Sequence, residues 1–314
     1  MQRQEEPTQN VYETSSLDDR PPLRCYNEIV LVTIVGLGLI GGSIGLALRR
    51  GKKSNWEVVG HSRRTDTVAK ALSIGAIDRG EMNLKDAVRQ AELIIIATPV
   101  LTVKEIFSKT APHLPSGCIV TDTGSTKAQI MKWAEEILPP TVNFIGGHPM
   151  AGRETYGIGA AEADLFQRCT YCLTPSGNAS PESTDTVIGM TKKLGAIPFL
   201  IDPQEHDDLV AGISHLPILL SAVLVSLTTR NPFWSKMSKL ASSGYHDLTR
   251  LASGNPGVNS HICLSNQEAI VDWIDGFIQE LERYRDMVSL GDQRLEQALA
   301  EANKARQRWL EQTL

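Results

Sequence analysis

Positive charge is in short supply: 31 Lys and Arg stand against 36 Asp and Glu, a formal net charge of −5. A general nucleic-acid binder draws affinity from neutralising phosphates, so this balance argues against that class. Aromatic residues are only 5% of the chain, too few for the stacking platforms that hold single strands. Cysteine is sparse and odd in number, at Cys25, Cys118, Cys169, Cys172 and Cys263. Cys169 and Cys172 form a CxxC, but no second pair stands at zinc-site spacing. No metal site is expected; the simpler reading puts Cys172 on a strand facing a core, in a reducing cytoplasm. The first residues are polar and acidic, without the apolar core of a signal peptide. The longest apolar run, 216–227, carries Ser221 and Ser226 and is short for a bilayer. It reads as a buried helix, and no membrane partner is expected.

What is present is an ordinary globular mix, 41% hydrophobic and 21% charged over 314 residues, enough for two domains. Residues 1–28 are polar and aperiodic and read as a disordered tail. Residues 29–35 are a continuous apolar, β-branched run, the pattern of a strand buried on both faces. Further strands are expected at 56–60, 93–97, 118–121 and 143–145, with helices at 65–73, 102–110 and 126–137. Strand–helix alternation predicts an α/β doubly wound parallel sheet. Strands at 171–174 and 197–201 and a helix at 181–194 continue the pattern. Past Asp202 no strand is legible. One long helix over 203–228, interrupted at His215 and Pro217, and amphipathic helices at 268–288 and 293–310 predict an all-helical second domain. The expected division is a dinucleotide-binding domain over 29–201 and a helical domain over 202–314.

Directly after the first strand come Gly36, Leu37, Gly38, Leu39, Ile40 and Gly41, a GxGxxG at the start of a helix. The first glycine permits the tight turn, the second lets a pyrophosphate approach the backbone, and the third lets helix and strand pack closely. That is the Rossmann-type fingerprint, with phosphates on the helix N-terminus. The end of the second strand decides the cofactor. An NAD site usually carries an acid there for the ribose hydroxyls. Here Ser62, Arg63 and Arg64 follow His61. A hydroxyl and two guanidinium forks match a 2′-phosphate, so NADP is favoured over NAD. A solvated basic turn is the plainer alternative.

Ligands of an open α/β sheet bind at the carboxyl ends of its strands. Thr98 and Pro99 close one predicted strand, and Asp122, Thr123, Gly124 and Ser125 the next. Gly146, Gly147, His148, Pro149 and Met150 close the one after. His148 is thereby expected near the nicotinamide end of the cofactor. A histidine titrating near neutrality suits removal of a hydroxyl proton.

Taken in order, VGLGLIGGSIGLAL, VTDTGSTK, GGHPMAG, ISHLP and GYHDLTRLA make residues 29–290 resemble the prephenate and arogenate dehydrogenases. The resemblance implies oxidative decarboxylation of a cyclohexadienyl acid on the route to tyrosine. Hydride leaves C4 for the nicotinamide, the hydroxyl proton goes to a base, and the ring carboxylate departs as CO2, with no metal implied. By resemblance His148 is the catalytic histidine and Ser125 holds the same hydroxyl. His215 binds substrate, and Arg250 pairs with a substrate carboxylate. Family members often carry a basic residue where this chain has His246, only partly charged at pH 7. Glu154 has three readings: a contact to the amino group of arogenate, a gating ion pair with Arg250, or an exposed loop residue.

The resemblance also implies a homodimer through the helical domain, and amphipathic helices there ask for more cover than one small domain offers. No regulatory domain is expected beyond Leu314, so control by tyrosine would act at the active site. Arogenate is slightly favoured over prephenate, because the turn at 62–64 and the HPMAG context resemble arogenate-using members. Two other functions fit the same plan: a hydroxyacid or imine-type NADP dehydrogenase, and an NADP-sensing regulator without catalysis. The first class often uses a helical lysine as acid/base, where this chain offers His148.

Overall fold

The computed structural model describes residues 30–51 and 55–313; the tail read over 1–28 and Cys25 lie outside them. Eight strands form one sheet: β1 (Val30–Val35), β2 (Trp56–His61), β3 (Arg79–Glu81), β4 (Leu93–Ile96), β5 (Ile119–Asp122), β6 (Asn143–Pro149), β7 (Thr170–Pro175) and β8 (Ile197–Leu200). Their order is β3-β2-β1-β4-β5-β6-β7-β8. Helices α1 (Leu39–Leu48), α2 (Thr65–Ser73), α3 (Leu84–Val88), α4 (Val103–Thr110), α5 (Ala128–Ile137) and α6 (Pro181–Lys193) connect and cover the strands.

The apolar runs split by their period of two. Leu93 and Ile95 of β4 join Val32 and Ile34 of β1 in one buried cluster with α1, α2 and α6. Ile94 and Ile96 join Val35 in a second cluster with α3, α4 and α5. A strand apolar at every position therefore has helices on both sides, as a doubly wound sheet requires.

Two sequence expectations are corrected here. The sheet is not wholly parallel: β7 pairs antiparallel with β6, and β8 parallel with β7. Between β6 and β7 lies loop with one short turn, Ile158–Ala160, and no crossover helix. Without a crossover the chain re-enters from the same edge, and an antiparallel pair results. Second, β6 is longer than 143–145. It runs through His148 to Pro149, with His148 opposite Cys172. The glycines inside it mark close approach rather than a turn. A Cβ at Gly147 would lie 2.5 Å from the Asp122 carbonyl oxygen, and one at Gly146 would lie 2.3 Å from Thr174 Oγ1. Cys172 is buried on β7, as read, and burial pushes its thiol up to about 11.

Among the described residues beyond β8 there is no strand, and the helices are α7 (Pro203–Val210), α8 (Leu216–Thr229), α9 (Trp234–Leu240), α10 (Ser243–Thr249), α11 (Pro256–Ser265), α12 (Gln267–Leu290) and α13 (Arg294–Thr313). Asp202 caps α7, its Oδ1 accepting from the backbone N–H groups of Gln204 and Glu205 at 2.8 and 3.1 Å. Between α7 and α8 the chain widens into a π-turn, Ala211–His215. Pro217 just beyond has no N–H to return to the preceding turn, and the extra residue absorbs that defect.

The long helix read over 203–228 is present, but the reading of its apolar run 216–227 as buried is corrected. Pro203–Thr229 is continuous and, by length and composition, long and apolar enough to cross a membrane. Much of its apolar surface is uncovered in the single chain: Val223 is 61% exposed and Leu227 71%. Its N-terminal half is different, holding His206, Asp207 and His215 buried against the sheet region.

Candidate active site

Gly36 has φ +105°, a backbone region that L side chains rarely adopt, and its N–H donates to the His61 carbonyl at 3.0 Å. A Cβ on Gly41 would sit 2.0 Å from the Gly36 carbonyl oxygen. Helix α1 starts at Leu39 with no side-chain cap and no acid in its first turn. Its free N–H groups and positive dipole end are open to an anion, so the turn fits a dinucleotide pyrophosphate. Thr98 lies against this turn, since its Cγ2 is 2.7 Å from a Cβ built on Gly36. Thr102 Oγ1 in turn bonds Thr98 Oγ1 at 2.9 Å and the Pro99 carbonyl at 2.6 Å.

At the end of β2 the three predicted residues diverge. Ser62 Oγ accepts from the Arg64 backbone N–H at 3.3 Å. The Arg64 guanidinium is engaged by Asp66, Nε to Oδ1 at 3.0 Å and Nη2 to Oδ2 at 2.5 Å. Arg63 is exposed, with Glu105 the carboxylate that feels its charge. Only Ser62 and Arg63 therefore stand clear of a strong ionic partner; the third expected group is already paired.

The sheet's carboxyl edge carries a buried polar network. Asp122 at the end of β5 and Lys127 just before α5 form an ion pair with both side chains fully buried. Lys127 Nζ also donates to the Gly147 carbonyl at 2.7 Å. The Asp122 carboxylate accepts from the N–H groups of Gly124 at 2.7 Å and Gly147 at 3.1 Å. These bonds satisfy both charges, which is what makes such a pair tolerable in a low-dielectric site. They also fix the loop bearing Ser125 against the strand bearing His148.

His148 is 8% exposed. Its Nδ1 lies 2.9 Å from Nε2 of His206 on α7, and His206 Nδ1 lies 2.7 Å from Asp207 Oδ1. Burial, then the neighbouring His206, Lys127 and His215, push the His148 imidazole well below its ordinary range. The expectation of a titration near neutrality is thereby corrected: the ring is neutral at pH 7, a base with its lone pair free but of low proton affinity. His215, the last residue of the π-turn, is pushed down to about 4, mainly by burial, with Asp207 and the Ser125 backbone opposing. Its Nδ1 faces Asn266 Nδ2 at 3.3 Å, and its Nε2 has no partner among the described residues. Ser125, His148 and His215 thus come together from three elements.

Arg250 opens a short 3-10 turn, Arg250–Ser253, after α10. It is ion-paired to Glu154 from the loop after β6, the contact invoked by one of the three readings of Glu154. His246 is not brought to this cluster; it is exposed on α10, with Asp247 Oδ1 3.5 Å away. Among the described residues no group of three or more His, Cys, Asp or Glu side chains is placed to hold a metal ion.

The model of the prephenate dehydrogenase nucleotide-binding domain matches residues 44–199, and that of the prephenate dehydrogenase dimerization domain residues 202–303. Prephenate dehydrogenase of Bacillus subtilis is 32% identical over 263 residues, 83% of this chain and 71% of that one. This chain belongs to the prephenate dehydrogenase family. It is accordingly an NAD(P)-dependent oxidoreductase. A prephenate dehydrogenase from A. aeolicus, solved with hydroxyphenyl propionate and NAD+, superposes with a TM-score of 0.83 at 28% identity, covering 90% of this chain and 99% of that one. An arogenate dehydrogenase from Synechocystis superposes with a TM-score of 0.75 at 32% identity, over 89% and 100%.

Within this prephenate dehydrogenase scaffold, sequence reasoning missed His206, Asp207, Lys127 and Asn266. The run Pro203-Gln204-Glu205-His206-Asp207-Asp208 falls within the long helix read over 203–228, with no role assigned to it there. Its signal was the spacing of His206 and Asp207 ahead of the apolar Val210 and Ala211, which puts all four on one buried face.

Proposed function

We propose that this chain oxidises and decarboxylates a cyclohexadienyl acid, arogenate in preference to prephenate, with NADP in preference to NAD. The observation that carries the reading is the meeting of His148, Ser125 and His215 at the carboxyl edge of β5 and β6, where an open sheet binds its ligands. Residues 29–201 are the cofactor-binding part, with the turn at Gly36, Gly38, Leu39, Ile40 and Gly41 taking the pyrophosphate. Thr98 and Pro99 line the groove beside it. When bound, the nicotinamide supplies the hydride acceptor. His148 takes the C4 hydroxyl proton at Nε2, and Ser125 holds that hydroxyl in place. His215 offers its unpartnered Nε2 to the substrate.

Support for arogenate comes from the paired Glu154 and Arg250. An amino-acid side chain brings its own ammonium and carboxylate, one for each member of the pair. A keto acid would occupy Arg250 and leave Glu154 uncompensated. Support for NADP comes from Ser62 and the exposed Arg63, with Arg64 available if a 2′-phosphate displaces Asp66. His246 is left as a rim contact. Residues 202–314 are the substrate and dimerisation part; the uncovered face at Val223 and Leu227 is taken by a second copy, as the matched dimerization domain supports. A cytoplasmic location suits such an enzyme.

The deciding measurement is kcat/KM for both acids with both cofactors, followed by NAD(P)H absorbance. We expect the highest value for arogenate with NADP. No turnover with either acid would remove the proposal, and a preference for prephenate would remove the role given to Glu154.

A further inference from the structure

His148 has two ring nitrogens, and only a ring whose Nε2 carries a lone pair can accept a proton there. Nothing in residues 146–150 fixes which nitrogen that is. The answer lies on α7, in the other half of the molecule. His206 and Asp207 are both 1% exposed, and they stand in line behind His148: Asp207 Oδ1 to His206 Nδ1 at 2.7 Å, then His206 Nε2 to His148 Nδ1 at 2.9 Å.

The order of donors in this line follows from its far end. A carboxylate only accepts. Asp207 already accepts from the backbone N–H of Lys127 at 2.7 Å on Oδ1 and of Ala128 at 2.9 Å on Oδ2. His206 must therefore donate from Nδ1. A neutral His206 then presents a lone pair at Nε2, and His148 must donate to it from Nδ1. The lone pair of His148 is left on Nε2, which has no hydrogen-bond partner among the described residues.

The same carboxylate anchors a second part of the site. By accepting from Lys127 and Ala128, Asp207 caps the start of α5 and so holds the loop that carries Ser125. Asn266 Nδ2 donates to the Asp207 carbonyl at 2.7 Å, which ties this end of α7 to the start of α12. One side chain thus sets the position of Ser125 and, through His206, the tautomer of His148.

We infer that His206 and Asp207 are positioning residues that lock His148 into the tautomer able to accept a proton at Nε2. The inference rests on His148 being the base in the proposed function. A proton taken at Nε2 leaves the Nδ1–H of His148 donating along the line to His206 and on to the Asp207 carboxylate, in a site closed to water. Neither residue touches the reacting atoms.

The test compares His206→Leu, which removes the acceptor, with His206→Gln, which keeps an amide in its place. The ring nitrogens of His148 are read by 15N NMR in the full chain. In the unaltered protein we expect His148 protonated at Nδ1. In His206→Leu we expect a substantial Nε2-protonated population and kcat about 10- to 100-fold lower, with KM for acid and cofactor within about twofold. His206→Gln should recover most of the rate and the original tautomer. An Nε2-protonated His148 in the unaltered protein would overturn the inference, and so would an unchanged kcat in His206→Leu. Equal losses in both variants with the tautomer intact would reduce His206 to packing and also overturn it. His148→Asn separates the two ideas. If it kept full turnover, the base assignment would fail, while the nitrogen shifts would still decide the hydrogen-bond order by themselves.

Discussion

The sheet region and the helical region solve burial in opposite ways. Both buried apolar clusters are built from residues no later than Ala196. A strand such as β4, apolar at all four positions, is covered on each face by helices of its own chain. The helical region leaves Ile213, Val223, Leu227, Leu240 and Leu290 more than half exposed. Scattered exposed leucines need no explanation, but a run along one helix does. The sheet region covers its apolar strands within one chain, and the helical region leaves an apolar face open, the face proposed above for a second copy. The candidate active site lies where they meet, with His148 on a strand of the first and its partner His206 on a helix of the second.

The sharpest break in that comparison is chemical. His148→Asn should lower kcat by about 10²- to 10⁴-fold, the range for loss of a general base. NADP affinity by fluorescence titration should stay nearly unchanged, because the glycine turn lies elsewhere on the sheet; a large loss of cofactor binding would contradict the role given to His148. Next, Arg250→Gln, on the helical side, should raise KM for the acid by roughly 10- to 100-fold, as loss of a charge-assisted hydrogen bond does. A fall in kcat with KM intact would instead place Arg250 in the transition state.

A smaller effect concerns pH. His215, with a pKa of about 4, and His148, pushed below its ordinary range, sit beneath the unfolded histidine value of about 6.5. Below that value the unfolded chain takes up protons that the folded one refuses. Stability should be full above about pH 6.5 and fall as pH drops towards 4, by up to about 1.4 kcal/mol per unit for each such histidine. Urea midpoints at pH 7 and pH 5 would show it, and His215→Gln should flatten the slope. Smallest in scale, Val223→Asp with Leu227→Asp should halve the solution mass by light scattering while leaving NADP binding in place. An unchanged mass would end the assignment of that face to a second copy.

How far the fold could be read from the sequence depended on distance along the chain. The buried strands and the glycine turn were legible because an apolar run, a period of two and a positive φ belong to neighbouring residues. The extent of β6 was not, because by sequence Gly146 and Gly147 stand at the end of a strand, and only the packing of Asp122 and Thr174 against them carries the strand on to Pro149. The antiparallel β7 was half legible: no helical period separates Met150 from Thr170, so no crossover is encoded there. The capture of Arg64 by Asp66 spans only two residues, but it depends on the turn at the start of α2, which a charge count does not reveal.

The sequence alone settled the buried parallel strands β1, β2, β4 and β5, the nucleotide turn and the family motifs carrying His148, Ser125, His215 and Arg250, since each is a short string with its own local physics. The tertiary structure alone decided what those residues face. His148 meets His206 across 58 positions, Arg250 meets Glu154 across 96, and Lys127 meets Asp207 across 80. Hydrogen bonds of that kind depend on where two regions dock, and no local pattern in either strand or helix encodes the distance between them.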